Sequence, residues 1–266
     1  MFKNEKSLLA FDLDGTLLLP NGLFPFDLLF QLRQMCNEGH VIAIISGRSI
    51  GTLKHYGQLI SPSCYLCAYN GAIIYRNEKY LKQYPISIST AERLILLSSQ
   101  SGYPVSVSGV EYLLFSTFGR EDLRPKKNYH VPTYYLSYDQ LMDYYISNKP
   151  YKLIIYCGDE IQAGAFAELI KEDQTVECVL MGREVEITAK NVNKGTALRE
   201  IMKLEDGKPV ISFGDSNNDI PMFLNSNISV SMCSASENIK KITTITNINN
   251  DDQGLLLLLK TIFDNK

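Results

Sequence analysis

Long runs of basic residues are missing from this sequence. No basic run is longer than the "PKK" at 125–127, and the 266-residue chain has a formal net charge of −3. A dedicated nucleic-acid surface carries clustered Lys and Arg, so the charge pattern argues against a nucleic-acid partner. A small anionic substrate would have to be met by local positive charge.

Long apolar runs are missing as well. The longest late run, "LLLLL" at 255–259, is far too short to span a bilayer. Near the start, Asp12 and Asp14 interrupt any signal-peptide core. These absences predict a cytoplasmic protein without a membrane partner.

The sequence also lacks a complete set of cysteine and histidine ligands. Cys64 and Cys67 form a C-x-x-C, which could indicate redox or zinc chemistry, but no second pair or nearby histidine completes a metal set. "CYLCAY" is typical of a buried strand, so we interpret both cysteines as buried apolar residues. The histidines at 40, 55 and 130 have no acid partner in a motif and are expected to have no functional role.

What is present is an alternation of short apolar runs with helical patterns, which predicts a parallel sheet covered on both faces. Strands are predicted at 7–13, 40–46, 64–69, 209–215 and 228–232, and helices at 25–39, 49–60 and 193–205. We therefore predict an α/β fold with a Rossmann-like parallel sheet core.

Residues between the two core segments have a different pattern. Tyrosine is dense at 131–145, two candidate strands meet at Gly109 in a hairpin, and further strands and helices are mixed. This pattern predicts an inserted α+β domain. The predicted boundaries are 1–82 and 187–266 for the catalytic core and 83–186 for the insertion.

Polar residues follow several of the predicted core strands. Because ligands collect beyond the carboxyl ends of parallel strands, these residues are expected to meet at one rim. They are Asp12 and Asp14, then Ser46, Gly47 and Arg48, then Asn70, then Asp215, Asn218 and Asp219, with Lys194 opening a helix on the same rim.

Carboxylates that converge without histidine or cysteine favour a hard cation. Magnesium fits, since proteins hold it by one or two carboxylates together with water and substrate phosphate. Such a cation would remove the repulsion between Asp12 and Asp14. Gly15 directly afterwards permits a backbone turn that a side chain would crowd.

Four motifs carry a family resemblance. "DLDGT" at 12–16, "SGR" at 46–48, the lysine of "NKGTAL" at 193–198 and "GDSNND" at 214–219 resemble the motifs of the haloacid dehalogenase-like (HAD) phosphatases. The motif order and the long insertion are similar to the Cof-type branch (subfamily IIB), as are "CAYNGAII" and "VEITAKNVNKG". The resemblance implies a C2-type cap domain in the insertion.

The resemblance also implies roles for the acidic residues and for one lysine. Asp12 would be the nucleophile that forms an aspartyl-phosphate, and Asp14 would be the general acid and then the base. Asp12, Asp14 (through its backbone carbonyl) and Asp215 would hold Mg²⁺. Lys194 would neutralise phosphate charge and hold Asp12, while Asp219 would orient Lys194 or a metal-bound water.

The remaining motif residues would bind the substrate. Ser46 and the amide of Gly47 would bind the transferring phosphoryl group, and Asn218 would touch the substrate. The pattern assigns no role to Asn70 or to the tyrosine-rich segment, and it leaves open whether Arg48 is functional or is structural and paired with a core carboxylate. In the insertion, Arg120, Arg124, Lys126 and Lys127 could face substrate or solvent.

The predicted function is Mg²⁺-dependent hydrolysis of a small phosphorylated metabolite, a sugar phosphate or a phosphorylated cofactor. Alternatives are a phosphotransferase or phosphomutase with the same intermediate, a catalytically silent metabolite-binding regulatory module, and a dehalogenase. Product analysis would separate a mutase, which releases no phosphate. Taken singly, "DLDG" could be a surface turn, "GDSNND" an Asx-rich loop and Lys194 a solvated residue of a first helical turn.

Overall fold

The computed structural model describes residues 5–123, 131–145, 148–249 and 253–263. Arg124, Lys126, Lys127 and His130 therefore lie outside the described residues. The chain divides into two units. The core unit comes from residues 1–48, 53–82 and 193–266, and the insertion unit comes from residues 49–52 and 83–192.

The strands are short, and half of them are buried at every residue. In chain order they are β1 (Leu8–Phe11), β2 (Val41–Ile45), β3 (Tyr65–Ala68), β4 (Ile73–Arg76), β5 (Lys79–Gln83), β6 (Val105–Ser108), β7 (Leu113–Ser116), β8 (Thr133–Leu136), β9 (Lys152–Tyr156), β10 (Val176–Met181), β11 (Glu184–Ala189), β12 (Val210–Gly214), β13 (Ile228–Met232) and β14 (Ile245–Ile248).

The helices mostly follow the predicted spacing. They are α1 (Phe26–Asn37), α2 (Ile50–Ile60), α3 (Ile88–Gln100), α4 (Tyr138–Tyr145), α5 (Glu160–Ile170), α6 (Lys194–Leu204), α7 (Ile220–Phe223), α8 (Glu237–Lys240) and α9 (Gly254–Phe263). Within the described ranges, none of these helices is both long enough and apolar enough to pass through a lipid bilayer.

The core unit contains one sheet, in the order β14-β13-β12-β1-β2-β3-β4-β5. Neighbouring strands from β14 to β3 are parallel, which confirms the predicted α/β class. Strand β4 and the edge strand β5 were not predicted, and β4 runs antiparallel to β3. Asn77 and Glu78 connect them with positive φ angles, as in a type I′ turn. Every residue of β5 is exposed, so this strand lacks the apolar signal of a buried one.

Strand β1 occupies the centre of this sheet, and its four residues are buried. One face packs against α6, since Leu8 and Ala10 share a core cluster with Leu198 and Ile201. On β1 and its neighbour β12, the rings of Phe11 and Phe213 stack with their centroids 4.4 Å apart. This packing sets the carboxyl ends of β1, β2 and β12 side by side.

The insertion unit contains a second sheet, in the order β10-β11-β9-β6-β7-β8. Its pairs are antiparallel except β7 with β8, and β6 and β7 form the predicted hairpin around Gly109. Leu94 of α3 and Phe166 of α5 pack with Val107 and Leu153 on one face of the sheet. The insertion is therefore α+β, as its sequence pattern predicts.

The junction between the units differs from the expected one. Residues 187–192 were expected in the core but belong to the insertion unit. The reason is that β11 continues through Ala189, which pairs with Val176, while Ile187 pairs with Leu153. A boundary at 187 would cut this strand in two.

Candidate active site

The first predicted site residue leaves the sheet directly after β1. The backbone N–H of Asp12 donates to the carbonyl of Phe213 at 2.9 Å, which continues the β1–β12 pairing, and the Asp12 side chain is buried. Gly15 follows with φ +74°, and a Cβ there would lie 2.5 Å from Oδ2 of Asp215. The tight turn therefore needs glycine, because the Asp215 carboxylate packs against the backbone at this point.

Lys194 is the first residue of α6. Asn193 caps this helix, since its side chain accepts from the N–H of Thr196 at 2.9 Å. The Lys194 side chain is fully buried, and its ammonium lies 2.7 Å from Oδ1 of Asp12 and 2.7 Å from Oδ1 of Asp219. The alternative of a solvated first-turn lysine is therefore wrong.

Asp219 connects this lysine to the loop after β12. Its Oδ1 contacts Lys194, while its Oδ2 accepts the backbone N–H groups of Asp215 and Ser216, each at 3.0 Å. The residue is fully buried, and both of its oxygens have partners. The carboxylate thus fixes the loop and the ammonium together, in line with the orienting role expected for it.

The site carries more negative than positive charge. Carboxylate oxygens of Asp12, Asp215 and Asp219 lie within 4.8 Å of one another, and the ammonium of Lys194 contacts two of these side chains, Asp12 and Asp219. Burial raises the pKa of Asp12, and the attraction of Lys194 only partly opposes this effect. Burial, with the Asp219 charge, raises the pKa of Asp215 to about 6. Burial would lower the pKa of Lys194, but Asp12 and Asp219 outweigh it and raise that pKa.

These donors fit a divalent cation. They are hard carboxylate oxygens, and the cluster has a surplus of negative charge that a cation would neutralise. Because both oxygens of Asp219 already accept hydrogen bonds, Asp12 and Asp215 are the side chains best placed to hold the ion. The expected contact through the backbone carbonyl of Asp14 stays a prediction, as does the choice of magnesium.

The carboxylate of Asp14 belongs to a different contact. Arg48 binds it with both ends of the guanidinium fork, Nε to Oδ2 at 2.6 Å and Nη2 to Oδ1 at 2.5 Å. The two residues are 34 positions apart in the chain. The motif pattern identifies both positions but contains no signal for their pairing, which depends on side-chain direction.

Ser46 and Gly47 lie at the end of β2, as predicted. Ser46 is buried, its N–H donates to the carbonyl of Cys67 at 2.9 Å, and its Oγ accepts the N–H of Arg48 at 3.3 Å. The hydroxyl is thus fixed at the rim of the sheet, one strand away from Asp12.

Asn70 links the two loops that carry the expected substrate-binding residues. Its N–H donates to the carbonyl of Ser46 at 2.9 Å, and its side-chain carbonyl accepts Nδ2 of Asn218 at 3.3 Å. Ser216 Oγ donates to Oδ1 of Asn218 at 2.7 Å. Asn70 has φ +58°, which asparagine tolerates better than most residues. An Asn-Gly dipeptide is typical of a turn, but nothing in the sequence pattern indicates the contact of Asn70 with Asn218.

Other candidates lie apart from this cluster. Cys64 and Cys67 are buried free thiols, which supports their interpretation as apolar residues. The metal-type cluster found within the described ranges consists of aspartates alone. Arg120, in the insertion unit, is paired with Asp122 at 2.7 Å, and both side chains are exposed. Tyrosines of the tyrosine-rich segment lie on β8 and α4.

Known proteins resemble this chain along nearly its whole length. It is 23% identical over 270 residues to the 5-amino-6-(5-phospho-D-ribitylamino)uracil phosphatase YitU of Bacillus subtilis, which covers 96% of this chain and 97% of that protein. A HAD-like hydrolase structure from B. subtilis superposes with a TM-score of 0.82 at 20% identity, covering 96% and 99% of the two chains. The HAD subclass IIB sugar phosphatase BT4131 gives a TM-score of 0.80 at 20% identity, covering 97% and 99%.

The two superpositions confirm the predicted fold, a Rossmann-like core with an inserted cap domain. At 20% identity they bear on the fold alone. Family membership comes from the sequence as a whole. The family model of the haloacid dehalogenase-like hydrolases matches residues 9–259, which include all four motifs and the acidic cluster. The chain therefore belongs to the haloacid dehalogenase-like hydrolases, the family that its motifs resemble.

Proposed function

We propose that this chain is a metal-dependent phosphatase that hydrolyses small phosphate monoesters through an aspartyl-phosphate on Asp12. The phosphatase class agrees with the family and with the names of its relatives. One observation carries the mechanism. The buried Asp12 carboxylate is held 2.7 Å from Lys194, with the carboxylates of Asp215 and Asp219 beside it.

In the first step Asp12 attacks phosphorus. Lys194 engages Oδ1, so Oδ2 is assigned as the oxygen that forms the new bond to phosphorus. The bond from phosphorus to the ester oxygen breaks, and Asp14 gives a proton to the leaving oxygen. Asp12 and Asp215 would hold a divalent cation, which would supply positive charge to offset that of the phosphoryl group, and Lys194 adds its own positive charge.

In the second step a water molecule attacks the phosphorus of the aspartyl-phosphate. Asp14 takes the proton from this water, the bond between Asp12 and phosphorus breaks, and inorganic phosphate leaves. Ser46 Oγ and the amide of Gly47 bind the phosphoryl oxygens throughout. Asn70 keeps Asn218 in place for a contact with the substrate, because the two side chains are hydrogen-bonded.

The substrate class is a small phosphorylated metabolite. YitU is named for a phosphorylated ribitylaminouracil, and BT4131 is named as a sugar phosphatase. Both names support a small phosphorylated metabolite as the substrate. The finer choice between a sugar phosphate and a phosphorylated cofactor stays a prediction. The net charge of −3 gives no support for a nucleic-acid substrate.

Phosphate release tests this function. The wild-type chain is incubated with a panel of sugar phosphates and phosphorylated cofactors, once with MgCl₂ and once with EDTA. We expect release of inorganic phosphate from at least one compound with magnesium and loss of this release with EDTA. A product that keeps its phosphate on carbon would instead indicate a mutase.

The matched variants are Asp12→Asn and Asp27→Asn, since Asp27 is an exposed aspartate in the first turn of α1. Asp12→Asn should lower turnover at least about a thousandfold, because it removes the nucleophile. Asp27→Asn should leave turnover unchanged. If Asp12→Asn kept most of the turnover, the assignment of the nucleophile would be wrong.

A further inference from the structure

Arg48 is the one residue of "SGR" for which the proposed mechanism has no use. Its guanidinium makes a two-point contact with Asp14, at 2.6 Å through Nε and 2.5 Å through Nη2. The planar fork of an arginine matches both oxygens of a carboxylate, so the contact fixes the plane of the carboxylate as well as its position.

The arginine is fixed by contacts other than the one with Asp14. Its backbone N–H donates to Ser46 Oγ at 3.3 Å, and its carbonyl accepts the N–H of Tyr69 at 3.0 Å. The guanidinium lies 5.9 Å from the ring centre of Tyr56, whose hydroxyl donates to the carbonyl of Gly22 at 3.2 Å. Arg48 therefore provides an anchored partner for a carboxylate whose side chain is 52% exposed.

The contact with Arg48 fixes the position of the Asp14 carboxylate outside the acidic cluster. The cluster consists of Asp12, Asp215 and Asp219, and Asp14 is not among its members. A proton carrier in the proposed mechanism must reach the leaving oxygen and then the water, and an exposed aspartate without an anchor would sample several rotamers. The Arg48 fork removes this freedom.

We propose that Arg48 is a positioning residue for Asp14, which it holds ready for both proton transfers. This inference rests on the proposed function. Arg48 itself neither gives nor takes a proton. Each carboxylate oxygen has a second lone pair, so Asp14 can carry the transferred proton on a lone pair that the guanidinium does not occupy.

The test compares two esters in the full chain with MgCl₂. An alkyl phosphate has a poor leaving group that needs a proton, whereas p-nitrophenyl phosphate has a good leaving group that hardly needs one. Arg48→Ala should lower kcat/KM for the alkyl ester by about tenfold to a hundredfold and lower it much less for the aryl ester. Arg48→Lys, which keeps the charge without the fork, should fall between Arg48→Ala and wild type, and it carries the test if Arg48→Ala does not fold.

A double-mutant cycle separates positioning from other roles. In an Asp14→Asn background, Arg48→Ala should change kcat/KM for the alkyl ester by less than about twofold, because the effect acts through Asp14. Arg93→Ala is the control. It removes another arginine–aspartate pair, Arg93 with Asp173 in the insertion unit, and should leave the ratio of the two esters unchanged.

Several results would overturn the inference while leaving the proposed function intact. Equal losses on both esters, with weaker inhibition by inorganic phosphate, would mean that Arg48 binds the phosphoryl group. Equal losses together with a lower Tm would mean a purely structural role, and an unchanged ester ratio would mean no role. A wild-type chain without any turnover would overturn the proposed function and this inference together.

Discussion

Two lysine ammonium groups are buried against carboxylates, one in each unit of the molecule. In the core unit, Lys194 is fully buried and lies 2.7 Å from both Asp12 and Asp219. In the insertion unit, the side chain of Lys152 is 7% exposed and lies 3.0 Å from Glu186. Each group loses the hydration of its charge, which is costly unless partners compensate for it.

The two lysines differ in the balance of charge around them and in their place in the sheet. Lys194 lies at the carboxyl ends of parallel strands, where its ammonium contacts two of three clustered carboxylates. Lys152 lies on β9 within a sheet, and it contacts Glu186 on the neighbouring strand β11. A buried ion pair is therefore not by itself a sign of an active site. At the carboxyl ends of the core strands, by contrast, the surplus of negative charge forms a candidate site, because a cation must neutralise it.

The largest effect is expected from Lys194→Met. Removing the ammonium leaves Asp12 and Asp219 buried without compensation, which should cost about 3–5 kcal/mol of unfolding free energy. Turnover per folded molecule should also fall about a hundredfold or more, because a positive charge next to the phosphoryl group is lost. Urea unfolding and phosphate release measure the two effects.

Lys203→Met is the matched control, since this lysine of the same helix is 70% exposed and pairs with Glu200 within one turn. It should change neither quantity appreciably. A Lys194→Met protein as stable and as active as wild type would show that the surplus of carboxylates is tolerated without the lysine, and the comparison would fail.

The second prediction concerns Lys152→Met. Glu186 would then be a buried charge without this partner, and the unfolding free energy should fall by about 3 kcal/mol. Turnover per folded molecule should stay within about twofold of wild type, because the proposed mechanism uses neither Lys152 nor Glu186. The double variant Lys152→Met with Glu186→Gln should regain part of the lost stability, since it removes both charges.

Urea unfolding and phosphate release again provide the measurements. The informative result would be a loss of turnover at Lys152→Met as large as that at Lys194→Met. It would place the Lys152–Glu186 pair in the site and erase the distinction between the two lysines.

The same distinction decides how much could be read from the sequence. Sequence alone could predict that several polar residues lie together at one rim of the sheet, because residues that follow parallel strands meet there and the motifs mark the strand ends. These residues are Asp12, Ser46, Lys194 and Asp215. The parallel order of the central strands followed from their continuous apolar runs. Strand β5 could not be predicted this way, because all of its residues are exposed.

Contacts set by side-chain direction or by strand register escaped prediction. Arg48 and Asp14 were both singled out, but their pairing depends on rotamers across two loops. The partnership of Lys152 with Glu186 depends on the register of β9 against β11, where Glu186 lies opposite Ile154. No local pattern records which residue of a distant strand lies opposite another, and a one-residue slip would reverse every face.

The smallest expected effect is a change in stability with pH that arises from the carboxyl group of Asp215. The pKa of Asp215 is about 6 in the folded chain against 3.8 for a free aspartate. Between these values the folded chain binds more protons than the unfolded chain, so this group stabilises the fold less as the pH rises through that window. At one pKa unit per about 1.4 kcal/mol the ceiling is about 3 kcal/mol, and partial exposure lowers it to about 2 kcal/mol. The pKa of Asp12 is raised in the same sense and extends the window upward.

Asp215→Asn isolates this contribution when its Tm is compared with that of wild type in EDTA. The variant should be the more stable protein at pH 7.5, and its advantage should shrink toward pH 4.5, where the Asp215 carboxyl of the folded wild-type chain is protonated. MgCl₂ should raise the wild-type Tm more at pH 7.5 than at pH 5, because ligands must be deprotonated to bind a metal, and it should raise the variant's Tm less.

The exposed Asp206→Asn serves as the control and should follow wild type. If Asp215→Asn were instead less stable than wild type at pH 7.5 in EDTA, the carboxylates around Lys194 would carry no unmet charge, and the core pair would be no different from the one in the insertion unit.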